Sequence, residues 1–285
     1  MLIAARATRR PLLVVTVALL ASAVSGCAWR ARPIPVADLR PLRAATLAEV
    51  LQAHEDATKA LATLSASGRL ELFDRRGGRR RDFGARVLCG RGGRLYLKAS
   101  VAVVTALEAT SDGSTFWLSV PSRRKVWTGD ATRPPRVDST DAAGHDFDAL
   151  RPSDLAAALL PEPLDPRPGE VLLFEGDREA FSLALGTSDA EGRGRVRRRV
   201  FLDRATLHLL RARTYDAAGS LELETTFGDW RDGLPWRVGV ARPDEGYEAR
   251  LTFDQAKANR ALPEQAFRPR LPPDWEVVEL DARGR

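Results

Sequence analysis

The spacing of apolar residues along the chain changes from a helical to a strand-like period near residue 65. Between residues 47 and 64, apolar side chains recur at every third or fourth position, which predicts one amphipathic helix. Thr46 and Glu49 have the spacing of a capping box, so the helix should begin directly after Thr46. His54 lies on the apolar stripe, where we expect a packed side chain rather than a metal ligand.

Beyond this helix, short segments with alternating apolar and polar residues predict β-strands. Turn-forming pairs such as Gly77-Gly78 and Asp112-Gly113 separate them, as in hairpins. The predicted strands cover residues 69–73, 94–98, 115–120, 125–127, 171–175, 180–185, 196–202, 207–215, 221–227, 235–241 and 247–253. A second, short helix is predicted over residues 154–160, with Ser153 as its cap and with Pro161 and Pro163 ending it.

The strands at residues 221–224 and 248–253 have one apolar and one charged face, the pattern of an antiparallel sheet with one side in water. So many strands with only two helices predict a mainly β fold, a large curved antiparallel sheet with the helices on its apolar side. Helices in this position would leave an apolar trough between themselves and the strands, which is a natural binding site for an apolar ligand. A filled β-sandwich or barrel without a cavity fits the same pattern, and this alternative stays open.

The amino terminus is organised as an export signal. Three arginines precede an apolar run over residues 12–24, which is short for a membrane span because a span requires about 20 residues. The sequence Val-Ser-Gly-Cys that ends at Cys27 resembles the lipobox of bacterial lipoproteins, in which the cysteine receives a lipid and becomes the new amino terminus. We therefore predict a signal peptide over residues 1–26 and lipidation of Cys27 with acyl chains such as palmitate. The alternative is an ordinary secretory signal.

Composition narrows the remaining possibilities. Cleavage before Cys27 leaves 259 residues, enough for one large domain, and reduces the net charge from +6 to +3, because three arginines and no acidic residues lie in the signal. So small an excess does not predict nucleic-acid binding. Residues 27–44 are rich in proline and arginine and predict a membrane tether, and residues 45–280 form the domain. Cys89 has no intramolecular disulfide partner once Cys27 is lipidated, and its apolar neighbours predict simple packing.

No motif of a catalytic or cofactor-binding site is found in the sequence. Asp112, Asp216 and Asp244 lie at predicted turns, where carboxylates bond the local backbone. His145 and four nearby aspartates form the one cluster to weigh as a metal site, but a lone histidine with acidic residues in a proline-bearing loop is usually a solvated segment. We therefore expect a protein that is not an enzyme and that needs no cofactor and no metal ion.

The order of the predicted elements resembles that of the LolA/LolB family, the periplasmic carrier and the outer-membrane receptor of lipoproteins. The resemblance is carried by the first helix, the central short helix, the long sheet and the residues 111–118, 215–219, 227–230, 234–238, Asn259, Leu262, Pro263 and Phe267. It covers residues 45–280. It implies an unclosed, half-rolled antiparallel sheet, a half-barrel whose concave face is lidded by helices.

Within this family, a lipid anchor at Cys27 favours the LolB-like receptor over the soluble carrier. Ala28 stands where enterobacterial lipoproteins retained in the inner membrane have aspartate, so outer-membrane anchoring with the domain facing the periplasm is expected. The resemblance implies a role in lipoprotein or lipid localisation, in which acyl chains of lipoproteins or another envelope lipid enter the trough from a periplasmic carrier. The residues expected to line the trough are Leu70, Leu72, Leu95, Leu97, Leu221, Leu223, Leu251 and Phe253.

LolB-like receptors also expose an apolar residue on an early hairpin, where it helps to insert the delivered lipoprotein into the membrane. Val101 and Val103 are the matching residues here. Against this, the segment lacks the glycine or proline expected at a turn, and a valine-rich run is typical of a buried strand. For the whole protein, the alternative is a non-carrier envelope lipoprotein that uses the same scaffold to bind a partner protein or to sense mislocalised lipoproteins.

Overall fold

The computed structural model describes residues 42–74, 78–131, 151–188 and 194–280. The chain from Leu42 onward forms one compact unit. Within the described ranges, no helix is long and apolar enough to cross a membrane. The predicted signal peptide, the lipidation of Cys27, most of the tether and the cluster around His145 lie outside the described residues and remain predictions.

Fourteen described strands form a single sheet. They are β1 (Thr63–Asp74), β2 (Arg79–Gly90), β3 (Arg94–Val101), β4 (Val104–Asp112), β5 (Thr115–Val120), β6 (Lys125–Asp130), β7 (Glu170–Gly176), β8 (Ala180–Ser188), β9 (Gly194–Asp203), β10 (Leu209–Tyr215), β11 (Leu221–Arg231), β12 (Leu234–Arg242), β13 (Tyr247–Ala258) and β14 (Glu276–Glu279). Their order in the sheet is β14-β6-β5-β4-β3-β2-β1-β13-β12-β11-β10-β9-β8-β7. All neighbours are antiparallel except β14, which is parallel to β6. Because β7 and β14 are unpaired edges among the described strands, the sheet is unclosed, as predicted.

Among the described residues, two α-helices accompany the sheet, α1 (Leu47–Ala60) and α2 (Pro152–Leu159). The predicted capping box of α1 is present, because the Glu49 amide donates to Thr46 Oγ1 at 3.3 Å and the Thr46 amide donates to Glu49 Oε2 at 2.8 Å. The predicted cap at Ser153 is wrong. Helix α2 begins two residues earlier than predicted, at Pro152, whose fixed φ and missing N–H suit the first helical position, and its cap is Arg151. Short 3-10 turns lie at Pro121–Arg123, Pro243–Glu245 and Glu264–Phe267.

The sheet curls around α2. This helix contacts β2, β3, β4 and β5 on one side and β12 on the other, and the pair β1 and β13 lies between these two groups. Val50 of α1 and Leu155 and Leu159 of α2 belong to one apolar core with the inward side chains of the strands. The fold is therefore mainly β, a half-barrel whose apolar face is covered by two helices, as predicted.

The central strand pair contains a bulge that only glycine permits. The register of β1 against β13 shifts between Ser67 and Gly68. A Cβ atom at Gly68 would lie 2.0 Å from the backbone oxygen of Thr252, closer than any side chain allows. Bulges bend and twist the strand that carries them, so this one contributes to the curvature of the sheet at its centre.

Candidate functional site

A small apolar cavity lies between α1, the end of α2 and the inner face of β9, β10 and β11. Its volume is about 40 Å³. The strands and α2 supply the aliphatic and aromatic walls, which include Leu159, Leu202, Leu209, Phe227 and Trp230. Ligand-binding pockets usually measure about 300 to 1,000 Å³, so the helices would have to move before this cavity could take a lipid chain.

Arg91 ties both helices to the sheet. It lies in the turn between β2 and β3, and its Nη2 atom donates to the carbonyl of Thr58 in the last turn of α1. Its Nη1 atom donates to the carbonyl of Pro161 at 2.9 Å and to that of Leu160 at 3.5 Å, directly after α2. The last carbonyls of a helix have no partner within the helix and attract cations, so one guanidinium satisfies the ends of two helices.

A buried ion pair fixes the first turn of α2. Arg242, the last residue of β12, donates from Nε to Asp154 Oδ2 at 2.6 Å and from Nη2 to Oδ1 at 3.0 Å, and both side chains are less than a tenth exposed. Glu222 and Glu245 lie 3.3 Å and 3.8 Å from Arg242 Nη1. Burial lowers the pKa of Arg242, but the three carboxylates outweigh burial and raise it above its ordinary value. Arg242 therefore stays charged inside the protein.

His54 is a packed side chain, as predicted. It is 1% exposed on the inner face of α1, and it also lines the cavity. Burial lowers its pKa to about 4, and the nearby Arg198 acts in the same direction. A hydrogen bond to the Glu162 backbone and the charge of Glu55 oppose this shift but do not cancel it. Among the described residues, no group of three His, Cys, Asp or Glu side chains could hold a metal ion.

The buried, neutral His54 predicts that acid destabilises the protein. In the unfolded chain His54 takes up a proton near its ordinary pKa of 6.5, whereas in the folded chain it stays neutral until about pH 4. The unfolded state therefore binds more protons across this window, and the free energy of unfolding falls as the pH falls through it. Between pH 6.5 and about 5 the loss from this group should be about 2 kcal/mol.

Urea unfolding of the wild type and of His54→Leu at these two pH values measures this contribution. The variant should lose about 2 kcal/mol less than the wild type between them. Equal losses in the two proteins would contradict the prediction. The charged groups that act on His54 are Arg198 and Glu55, and both remain in the variant.

The eight residues predicted to line a trough fall into two groups. Six are buried in the core on the sheet face that meets the helices, namely Leu70, Leu72, Leu95, Leu97, Leu251 and Phe253. Leu221 and Leu223, in the first half of β11, are only half-buried. None of the eight lines the small cavity, whose walls come from β9 to β11 and from the two helices.

The segment Val101–Val104, which we call the valine tip, is an exposed hairpin end. Val101 pairs with Val104, so Ala102 and Val103 form a two-residue turn between β3 and β4. The exposed fractions of Val101, Val103 and Val104 are 56%, 97% and 68%. The alternative of a buried strand is therefore wrong here. Ala102 replaces the expected glycine by taking a φ of 51°, in the left-handed region.

The other residues singled out in the sequence have structural roles. Cys89 is fully buried, its sulfur lies 3.7 Å from the Ala156 carbonyl of α2, and burial raises its thiol pKa to about 12. It is an unreactive packing residue, as predicted. Asp112 accepts the Ser114 amide at 2.8 Å, and Asp216 accepts the amides of its own turn in the same way.

Three residues that hold the helices, Arg91, Asp154 and Arg242, were not predicted from the sequence. Asp154 could have been noticed, because it is the one charged residue of the otherwise apolar helix Pro152–Leu159. A carboxylate that enters a buried helix requires a partner. Arg91 gave no such signal, because an arginine flanked by glycines in a turn is ordinarily a solvated residue.

Comparisons with known proteins find distant structural likeness. Neither the protein-family models nor the curated proteins contain a match. Among solved structures, a DUF1329 family protein from Desulfovibrio piger is 15% identical with a TM-score of 0.47, covering 78% of this chain and 96% of its own. A LolA superfamily protein from Nitrosomonas europaea is 12% identical with a TM-score of 0.46, covering 79% and 99%. A domain assigned to outer membrane lipoprotein sorting, from Vibrio parahaemolyticus, is 15% identical with a TM-score of 0.42, covering 77% and 94%.

Proposed function

We propose that this protein is a lipid-anchored envelope protein that binds acyl chains of lipoproteins between its helices and its curved sheet, a role like that of the LolB-like receptors. The observation that carries the proposal is the apolar interface between sheet and helices, which is already hollow beside α1. When α1 moves away, its side of this interface becomes an apolar surface on the inner face of the sheet. An acyl chain can cover that surface in place of α1.

Helix α1 is suited to move. Only three of its 14 residues are buried, Val50, His54 and Thr58, and only Val50 is aliphatic. A helix that buries so little apolar surface is held weakly, because most helical stability in proteins comes from tertiary packing. Arg91 and Asn259 hold the carbonyls of Thr58 and Ala60 at its end. The free energy needed to lift α1 is therefore small compared with that of unfolding the sheet.

Transfer of a chain out of the site needs a contact with the membrane. The valine tip supplies an apolar surface at the end of the hairpin β3–β4, and it can enter the interface of a bilayer. In the proposal, lipidated Cys27 holds the protein on the periplasmic face of the outer membrane, so the tip and the membrane stay close. An acyl chain moves from one apolar environment to another. Burial in either stabilises the chain by about 0.8 kcal/mol per CH₂ relative to water, so transfer requires no cofactor and no catalysis.

Binding of an acylated peptide by the unit from Leu42 to Arg285 tests the proposal. At a ligand concentration 100 times Kd, binding should raise the free energy of unfolding by about 2.7 kcal/mol, measured by urea unfolding with and without ligand. The same peptide without its acyl chain is the control and should have no effect. If the folded protein binds no acyl ligand at any concentration below the onset of micelles, the proposal is wrong.

The valine tip has its own test in the transfer of a fluorescent acylated peptide from the protein to liposomes. Val103→Glu should slow transfer about tenfold, because it removes roughly 1.5 kcal/mol of apolar burial in the membrane. Since Val103 is almost fully exposed, the fold should be unchanged by circular dichroism. Val171→Glu, at an exposed valine of edge strand β7, is the matched control and should transfer like the wild type. Equal rates in the two variants would exclude a membrane role for the tip.

The small volume of the cavity favours a second candidate function. A protein-binding or sensing module on the same scaffold needs no room for an acyl chain, and a cavity of 40 Å³ gives none while α1 is in place. One measurement, stabilisation by acylated peptide, distinguishes the two functions. A sensing or docking module would not be stabilised by acylated peptide, even in a variant whose helices open more easily.

A further inference from the structure

We infer that a polar groove beside the apolar cavity binds the peptide that follows the acylated residue of the cargo, and that it prefers a peptide with a basic side chain. This polar groove lies between α2, the turns β2–β3 and β4–β5, and the ends of β10, β11 and β12 near Thr214, Glu222 and Arg242. The inference rests on the proposed function and assigns a site to the part of the ligand that the cavity does not hold.

The size of the polar groove suits a short peptide. Its volume is about 690 Å³, whereas the apolar cavity measures about 40 Å³. Ligand-binding pockets usually measure about 300 to 1,000 Å³, so the groove is already large enough. Ala157, Gly92 and Gly93, which line it, are exposed. The groove is therefore reached from solvent while α1 is in place.

The polar groove and the apolar cavity are neighbours across Arg91. This residue lines the groove, and its guanidinium donates to the carbonyls of Thr58 and Pro161, both of which line the cavity. The end of α2 is shared in the same way, because Leu159 lines the cavity and Leu160 lines the groove. One amphipathic ligand can therefore occupy both spaces, with its acyl chain in the opened cavity and its polar part in the groove.

The walls of the polar groove are built largely from main chain and small side chains. The two turns touch each other directly, because a Cβ atom at Gly113 would lie 2.0 Å from the backbone oxygen of Gly92. On the helix side, Ala156 and Ala157 face the groove. Glycine and alanine allow a ligand to come close to the backbone, whose N–H and C=O groups are the natural partners of a peptide main chain.

The charges of the polar groove favour a basic ligand. Arg151 and Arg242 line it, but each is at most a tenth exposed and is paired with a carboxylate. The guanidinium of Arg91 is bonded to carbonyls at the ends of both helices. By contrast, the lining residues Glu162 and Glu222 are exposed. The charged side chains that a ligand meets from solvent are therefore carboxylates, which attract lysine or arginine.

Three acylated probes test this inference in the Leu42–Arg285 unit, by displacement of a fluorescent fatty acid. They are dodecanoyl-Gly-Ser-Lys-Ser amide, the same peptide with glutamate in place of lysine, and dodecanoylglycine methylamide, which has no peptide beyond its first residue. All three open the same cavity, so the ratio of their affinities within one protein does not contain the cost of opening. The wild type should bind the lysine peptide about tenfold more tightly than the methylamide. It should bind the lysine peptide about threefold more tightly than the glutamate peptide.

Variants of the polar groove separate its contribution from that of the cavity. Ala157→Trp fills the groove from the exposed side of α2 and should bind all three probes with equal affinity. Ala261→Trp, at an exposed alanine beyond β13, is the matched control and should keep the wild-type ratios. Glu162→Gln should bind the lysine and glutamate peptides with nearly equal affinity, and both more tightly than the methylamide. Urea unfolding shows that the variants are folded.

Several outcomes would overturn the inference. If the wild type binds the three probes equally, the groove takes no peptide, and the inference is wrong while the proposed function stands. A peptide preference that persists in folded Ala157→Trp, or that is lost to the same extent in Ala261→Trp, also overturns it. If Ala157→Trp does not fold, an unchanged ratio of lysine to glutamate peptide in Glu162→Gln has the same meaning. If no probe binds, the proposed function fails first.

Discussion

Replacing Arg242 with methionine is expected to destabilise the protein by about 3 to 5 kcal/mol, measured by urea unfolding. The substitution leaves Asp154 charged and buried at the first turn of α2, and removing one partner of a buried pair carries a cost of this size. Glu222 and Glu245 lose the same guanidinium, although both are more exposed than Asp154. Helix α2 touches both halves of the curled sheet, so the effect should appear in the global transition.

Replacing Asp154 with leucine should lower the free energy of unfolding by less than Arg242→Met does. In Asp154→Leu, Arg242 keeps Glu222 and Glu245 within 4 Å, so its charge is still compensated. The double variant Arg242→Met with Asp154→Leu should recover most of the loss, because an apolar pair of similar volume often equals or exceeds a buried ion pair in stability. A double variant less stable than Arg242→Met alone would contradict this account.

An exposed pair provides the matched control. Arg237 and Asp229 lie 2.7 Å apart on β12 and at the end of β11, and both side chains are about half exposed. Arg237→Met should therefore change the free energy of unfolding by less than about 1 kcal/mol. If Arg237→Met and Arg242→Met have the same effect, burial of the Arg242 pair is not the reason for its importance.

Replacing Arg91 with leucine is expected to increase the apparent affinity for an acylated peptide by about 100-fold while lowering stability. The variant loses the charged hydrogen bonds that hold the ends of both helices against the sheet, worth about 3 kcal/mol in the closed state. In the open state these carbonyls form hydrogen bonds with water, so the substitution destabilises only the closed state and raises the open fraction. Apparent affinity follows the fraction of molecules in the open, binding-competent state.

Arg94→Leu is the control for this experiment. Arg94 stands three residues further along the chain and donates to Glu264 at 2.8 Å and to the backbone carbonyl of Arg91 at 3.4 Å, and neither of these hydrogen bonds goes to α1 or α2. It should bind acylated peptide like the wild type. If Arg91→Leu binds acyl ligands no better than Arg94→Leu, then Arg91 is not the clamp that keeps the site closed. Arg91→Lys, which cannot span both helix ends with a fork of donors, should lie between the two.

Most elements of the fold could be predicted because their signals are local. The capping box between Thr46 and Glu49 and the period-two pattern of most strands depend only on neighbouring residues. Strand β2 was missed because Arg79–Asp82 are four exposed polar residues without alternation. Strand β14 was missed because its four residues gain a partner only from β6, about 150 positions earlier. The predicted strand start at Leu207 was wrong, because this residue takes a φ of 60° in the turn before β10.

The candidate site was only partly predictable, for a different reason. An apolar inner face follows from alternation, and six of the eight residues expected there are in the core. Where this face is hollow depends on how α1 lies over β9 to β11, and sequence spacing carries no information about that placement. The exposure of Val103 was also hidden, since valine prefers buried strands. The pairing of β3 with β4 puts the turn at Ala102 and Val103, against this preference.

The two unpaired edges of the sheet, β7 and β14, have a consequence for the size of cargo. In a closed barrel, strand number and shear fix the radius, so a wider interior requires broken ladder hydrogen bonds. In this half-barrel the described strands can change their mutual twist, and the gap between β7 and β14 can widen. Neither change breaks a hydrogen bond between neighbouring strands. Under the proposed function, the interior would therefore adapt its diameter to one acyl chain or to several, and the energetic cost would fall on side-chain packing alone.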